Sequence, residues 1–126
     1  MYYHHPINVD GLKNLKRLYC DGCMIYSVNL PSLIHLTCSD TKVKEVNHLT
    51  NLKQLRCDRC PIKSICLPNL IKIECNNVDL DLIDAPNLVS LHSEFAKIKK
   101  LKIPKIQSIY CNDCDIDSNF ISNLTD

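Results

Sequence analysis

The chain has 126 residues, a formal net charge of +1, 45% hydrophobic residues and 23% charged residues. This is one domain's length, enough for a continuous core, and the charge is too small to give a field suited to nucleic acid or an anionic membrane. Apolar runs stay short of the ~20 residues a membrane helix needs, and the opening "MYYHHPINVD" lacks the basic-then-apolar layout of a signal peptide, so a cytoplasmic setting with reduced thiols is expected.

In chain order, residues 1–14 read as a half unit, because "NVDGLKN" before Leu15 matches "EVNHLTN" before Leu52. Full units open at Leu15, Leu33, Leu52, Leu70, Leu88 and Ile106, and a further opening stands at Leu124; the steps are 18, 19, 18, 18, 18 and 18 residues. Three residues after each opening but the last come Leu18, Leu36, Leu55, Ile73, Leu91 and Ile109. Two further on stand Cys20, Cys38, Cys57, Cys75, Ser93 and Cys111, and three beyond those Cys23, Thr41, Cys60, Val78, Ala96 and Cys114. Two more apolar places follow, beginning at Ile25 and Val28, the second of which fails at Asn119. Pro31, Pro68, Pro86 and Pro104 each precede the next opening by two residues. The consensus is LxxLxCxxCxIxxIxLPx. Six units span 15–114, and 115–126 read as a C-terminal half unit, all within one domain. The extra residue of the second unit falls between Val46 and Leu49.

Segments such as "HLTC", "QLRC", "KIEC" and "SIYC" alternate apolar and polar residues, the pattern of a half-buried strand. One short strand per unit, repeated in phase, stacks into a parallel sheet along a solenoid. Six rungs at ~4.8 Å give a rod about 29 Å long. About ten residues remain in each unit for the return, too few for a helix of several turns, and proline at a fixed phase suits an extended path. The expected convex side is therefore extended or briefly 3₁₀, with little or no α-helix.

The pattern resembles the leucine-rich repeat family, whose motif is LxxLxLxxNxL, over nearly the whole chain from Val9 to Leu124. The resemblance implies an α/β-class solenoid with its parallel sheet on the concave side. Its short LP-containing unit resembles the shortest repeats of bacterial effector proteins, and its Asn-, Lys- and Ile-rich cysteine form is similar to repeats of giant DNA viruses of amoebae. In the family an asparagine bonds backbone groups after the strand. Here that place holds Cys23, Thr41, Cys60, Val78, Ala96 and Cys114. Val and Ala cannot make such bonds, so a weakened ladder is expected between Leu70 and Leu101.

The pairs Cys20/Cys23, Cys57/Cys60 and Cys111/Cys114 have CxxC spacing, which elsewhere points to zinc, redox chemistry or disulfides. On this period successive pairs lie two and three rungs apart, roughly 10 and 14 Å, too far to share one metal with Zn–S near 2.3 Å. Nine cysteines, an odd number, cannot all pair. The reading is two ladders of small buried side chains, with no metal or cofactor. Cys66, off both ladders, is the thiol expected to react most readily. His4 and His5 fall in the N-terminal "YYHH" and are expected to be frayed. With Gly11 and Gly22 the only glycines, a phosphate-binding glycine loop is nearly excluded. No triad-like set surrounds His35 or His92, so no enzyme is expected.

What remains is the outward face of the strands. Its rows give Arg17, His35 and Lys72; Tyr19, Arg56, Glu74, His92 and Tyr110; and Asp21, Asp58 and Glu94 as contact candidates. Tyr and Arg concentrate binding energy at interfaces, and the resemblance implies a protein partner on this face; a merely solvated sheet is the competing reading. Mixed charge disfavours nucleic acid. Exposed end strands also make end-to-end self-association an expectation, and a recognition fragment of a larger effector such as a ubiquitin ligase is the alternative.

Overall fold

The computed structural model describes residues 5–116. His4, Asn119, Leu124 and most of the C-terminal half unit lie outside the described residues.

Six strands carry the repeat: β1 (Arg17–Tyr19), β2 (His35–Thr37), β3 (Gln54–Arg56), β5 (Lys72–Glu74), β8 (Ser90–Glu94) and β11 (Ser108–Asn112). They form one parallel sheet in the order β1-β2-β3-β5-β8-β11. The register keeps repeat positions opposite each other: Leu18 faces Leu36, Leu55 faces Ile73, and Leu91 faces Ile109. Among the described residues there is no helix of any type, so the return path is extended rather than 3₁₀.

The return path is more ordered than one strand per unit implies. A second parallel sheet holds β4 (Ser64–Cys66), β7 (Leu82–Asp84) and β10 (Leu101–Lys102); a third holds β6 (Asp79–Leu80), β9 (Lys97–Ile98) and β12 (Asp115–Ile116). In these rungs "DLD" and "AKIK" alternate in and out before the corner to the next short strand, and opposite charges stand in register. Asp79 and Asp115 flank Lys97, and Asp84 faces Lys102. Such cross-strand pairs favour alignment. Nearer the N-terminus side chains do the joining instead: Asp10 accepts from Asn29, and Asn47 Oδ1 accepts the Cys66 N–H at 2.8 Å. The extra residue of the second unit is taken up beside His48, whose ring nitrogen bonds the Val28 carbonyl.

The interior is the stack of apolar rows. Leu33, Leu52, Leu70 and Leu88 are buried, as are Ile25, Val43, Ile62, Leu80 and Ile98. Every buried side-chain polar atom among the described residues has a partner.

One residue per rung sits in the left-handed region, just before the second cysteine place: Gly22 (φ 74°), Asp40 (59°), Arg59 (56°), Asn77 (54°), Phe95 (53°) and Asp113 (52°). Gly, Asn and Asp tolerate this conformation; Arg59 and Phe95 are uncommon there. The turn aims each N–H at the next rung. Gly22 N–H donates to Ser39, Asp40 to Asp58, Arg59 to Asn76, Asn77 to Glu94 and Phe95 to Asn112, at 2.8–3.0 Å. The weakening expected between Leu70 and Leu101 is therefore absent. The ladder is carried by main chain, so Val78 and Ala96 need no polar side chain to sustain it.

Candidate functional site

The cysteine rows are buried in the middle of the solenoid, as expected, but not at its ends, where Cys23, Cys111 and Cys114 are covered by fewer neighbours. Cys38, Cys57 and Cys75 are fully buried, and Cys20 and Cys60 are 5% exposed; Cys23, Cys66, Cys111 and Cys114 are half-buried. Burial pushes the Cys20, Cys75 and Cys111 thiols up to about 12 and Cys57 well above its ordinary value. Cys38 is raised by its hydrogen bond with the Cys60 thiol and by burial. Thiols also bond carbonyls: Cys20 Sγ donates to Thr37 at 3.4 Å and Cys114 Sγ to Ser93 at 3.2 Å. At the places lacking sulfur, the Thr41 hydroxyl donates to Cys38 at 2.6 Å and the Ser93 hydroxyl to Cys75 at 2.7 Å. Among the described residues, no three His, Cys, Asp or Glu are grouped so as to hold a metal.

Access then orders reactivity. Native alkylation followed by peptide mass spectrometry should label Cys66, Cys23 and Cys114 first, ahead of Cys111, whose thiol is pushed up to about 12. Cys38, Cys57 and Cys75 should stay protected until denaturant is added. Equal labelling of Cys57 and Cys66 would contradict the buried ladder.

The outer face of the six-stranded sheet holds most of the candidates as expected. Tyr19 is 65% exposed and Tyr110 49%. The Tyr19 ring lies 5.2 Å from His35, tilted, and the Tyr110 ring stacks on His92 at 4.6 Å. Arg56 sits at the centre, its Nε 3.0 Å from Asp58 Oδ2 and 2.7 Å from Glu74 Oε2. The hydrogen bond to Asp58, then Glu74, raises its already high pKa. His35, Thr37, Gln54, Arg56, Lys72 and Glu74 surround a shallow depression of about 240 Å³. Lys72 is exposed there, and Arg17 is exposed on β1, opposite His35 in register.

Asp58 is a correction. It is 1% exposed and cannot serve as a contact. Asp58 belongs to a row whose short side chains turn back to the next rung. Asp21 Oδ1 accepts the Ser39 N–H, Ser39 Oγ that of Asp58, Asp58 Oδ1 that of Asn76, and Asn76 Oδ1 that of Glu94, at 2.8–3.0 Å. Asp21 and Glu94 lie at the two ends of this run, Asp21 exposed and Glu94 half-buried. The sequence signal was present: Asp, Ser, Asp and Asn at one phase are the types that accept a nearby backbone N–H. A second row missed in the sequence joins the rungs in the opposite sense, donating back to the preceding rung at the proline phase. The amides of Asn51, Asn69 and Asn87 donate to the carbonyls of Pro31, Thr50 and Pro68 at 2.7–2.8 Å.

At the turn, Arg59 grips Asp40 through two bonds of 2.6 and 2.7 Å. That hydrogen bond lowers the Asp40 pKa and raises that of Arg59. Both groups are open to water, where such pairs contribute little.

Among solved structures, the chain is similar to the functional domain of InlJ from Listeria monocytogenes, which includes a cysteine ladder; the TM-score is 0.64 and the identity 24%. The alignment covers 87% of this chain and 32% of that one, so the chain spans about a third of that structure's length. No protein-family model and no curated protein sequence matches the chain. The likeness and the rung geometry together give the fold as a parallel-strand solenoid of about six turns, like that of leucine-rich repeats.

Proposed function

We propose that the protein is a non-catalytic module that binds a partner protein on the outer face of its six-stranded sheet. The observation that carries this reading is the ring-bearing face itself. Tyr19 and Tyr110 stand exposed on a sheet locked by backbone and side-chain ladders, so the backbone that carries them is already ordered before any partner arrives. Arg56 is likewise fixed by Asp58 and Glu74. Absence of catalysis is supported by His35 and His92 lying against tyrosine rings rather than facing a nucleophile. A reducing, cytoplasmic setting is supported by the buried thiols and their odd number; the viral resemblance rests on the Asn-, Lys- and Ile-rich LP units. The alternative is the recognition part of a larger effector. Self-association through the edge strand β11 is a third reading, tested by the oligomeric state.

Once a partner is captured, Tyr19→Ala, Arg56→Ala and Tyr110→Ala should be measured by calorimetry. At least one should weaken binding by about 2 kcal/mol. Unchanged affinity in all three would remove this face as the site.

A further inference from the structure

Because all six strands run in one direction, their starts share one edge of the sheet and their ends the other. The two edges carry opposite charge. Residues 13–17, 31–35, 50–54, 68–72, 86–90 and 104–108 include Lys13, Lys16, Arg17, Lys53, Lys72 and Lys105, and no Asp or Glu. The far edge carries Asp21, Asp40, Glu74, Glu94 and Asp113, and its two arginines are taken: Arg56 by Asp58 and Glu74, Arg59 by Asp40.

The cations of the first edge are not neutralised. Lys105 donates to Asn87 Oδ1. Lys13, Lys16, Arg17, Lys53 and Lys72 are exposed and make no side-chain ion pair or hydrogen bond among the described residues. A groove of about 440 Å³ runs along this edge, lined by Lys16, Ser32, Ile34, Asn51, Lys53 and Asn69. Its asparagines are held by their bonds to Pro31 and Thr50. The main chain keeps the row in register: Ile34 N–H donates to Lys16, Lys53 to Ile34 and Ile71 to Lys53, each at 2.8 Å. Cation and aliphatic therefore alternate along the axis as Lys16, Ile34, Lys53 and Ile71, the last 43% exposed.

From this row we infer that the edge docks an extended acidic segment of a partner protein, with a carboxylate at every third residue and aliphatic side chains between. Lys16 and Lys53 are two rungs apart, roughly 9.6 Å. A polyproline II strand returns to the same face every third residue, after about 9.3 Å, so its carboxylates match that spacing. Aliphatic residues of the segment cover Ile34 and Ile71, which a sulfated glycan has no groups to cover. The inference rests on reading the adjoining sheet face as a protein-binding surface.

The probe is a fluorescein-labelled peptide of three Glu-Pro-Leu repeats, followed by anisotropy at low ionic strength. Binding should weaken about tenfold or more in Lys16→Glu/Lys53→Glu, and similarly when glutamine replaces glutamate in the probe. It should also weaken as salt rises. Tyr19→Ala/Tyr110→Ala should leave it unchanged. The milder Lys16→Gln/Lys53→Gln should fall between, with circular dichroism checking the fold of each variant. Binding indifferent to both lysine changes would overturn the inference, as would tenfold tighter binding of oligouridylate or a heparin oligosaccharide. Partner capture lost in the tyrosine variant but kept in the lysine variant would reject the edge and leave the face standing.

Discussion

Replacing Asp58 by alanine is expected to destabilise the protein by about 2–4 kcal/mol. Asp58 is buried and joins three rungs: its backbone N–H donates to Ser39 Oγ, its Oδ1 accepts from Asn76, and its Oδ2 accepts from Arg56 on its own rung. Alanine keeps the first bond and deletes the other two. The Asn76 N–H is then left without its acceptor, and Arg56 keeps only Glu74. Asp58→Asn separates the two losses, since an amide oxygen still accepts from Asn76 while the charge opposite Arg56 disappears. It should cost about 1 kcal/mol. Urea unfolding followed by circular dichroism measures both. An alanine variant within about 0.5 kcal/mol of the parent would show that the row is ornamental, the usual range for plain surface changes.

Ile73→Ala should cost about 3–4 kcal/mol. Ile73 is fully buried at the middle of the sheet, between Leu55 and Leu91 in register. In a solenoid each rung contacts only its neighbours, so the cavity weakens the two interfaces on which both halves depend. Against a total stability of about 5–15 kcal/mol, that is a large share. Ile109→Ala, in the same row but 37% exposed, should cost less than half as much. Equal losses at the two positions in urea titrations would refute a core graded along the axis.

The apolar rows were legible because period alone assigns them: Leu36, Leu55, Ile73 and Leu91 recur in phase and all are buried. The same logic misplaced Asp58. Alternation places it outward, and nothing in a two-residue period records that a short carboxylate can bend back to the N–H of the next rung. Asp21, Ser39 and Asn76 would have revealed it only when compared across units rather than along one. The second and third sheets were hidden for a related reason. Asp79–Leu80 or Lys97–Ile98 is too short to read as a strand locally; each is a strand only because its neighbour one rung away has the same path. The exposed Tyr19, His92 and Tyr110 were legible as outward residues, but their ring pairing depended on diagonal and direct neighbours across rungs.

The charges on the return path fix more than alignment. Lys97 stands between Asp79 and Asp115, and Lys99 lies 3.2 Å from Asp81. The fourth rung is acidic there, the fifth basic and the sixth acidic again. Units that look interchangeable in their interiors are therefore not interchangeable in position. Loss of the fifth unit by unequal recombination would preserve every buried row yet set Asp79 directly against Asp115. Duplication of that unit would bring Lys97 against its own copy. The order of the repeats is thus written on the outside of the molecule, in a sequence of signs that a gain or loss of one unit would disturb.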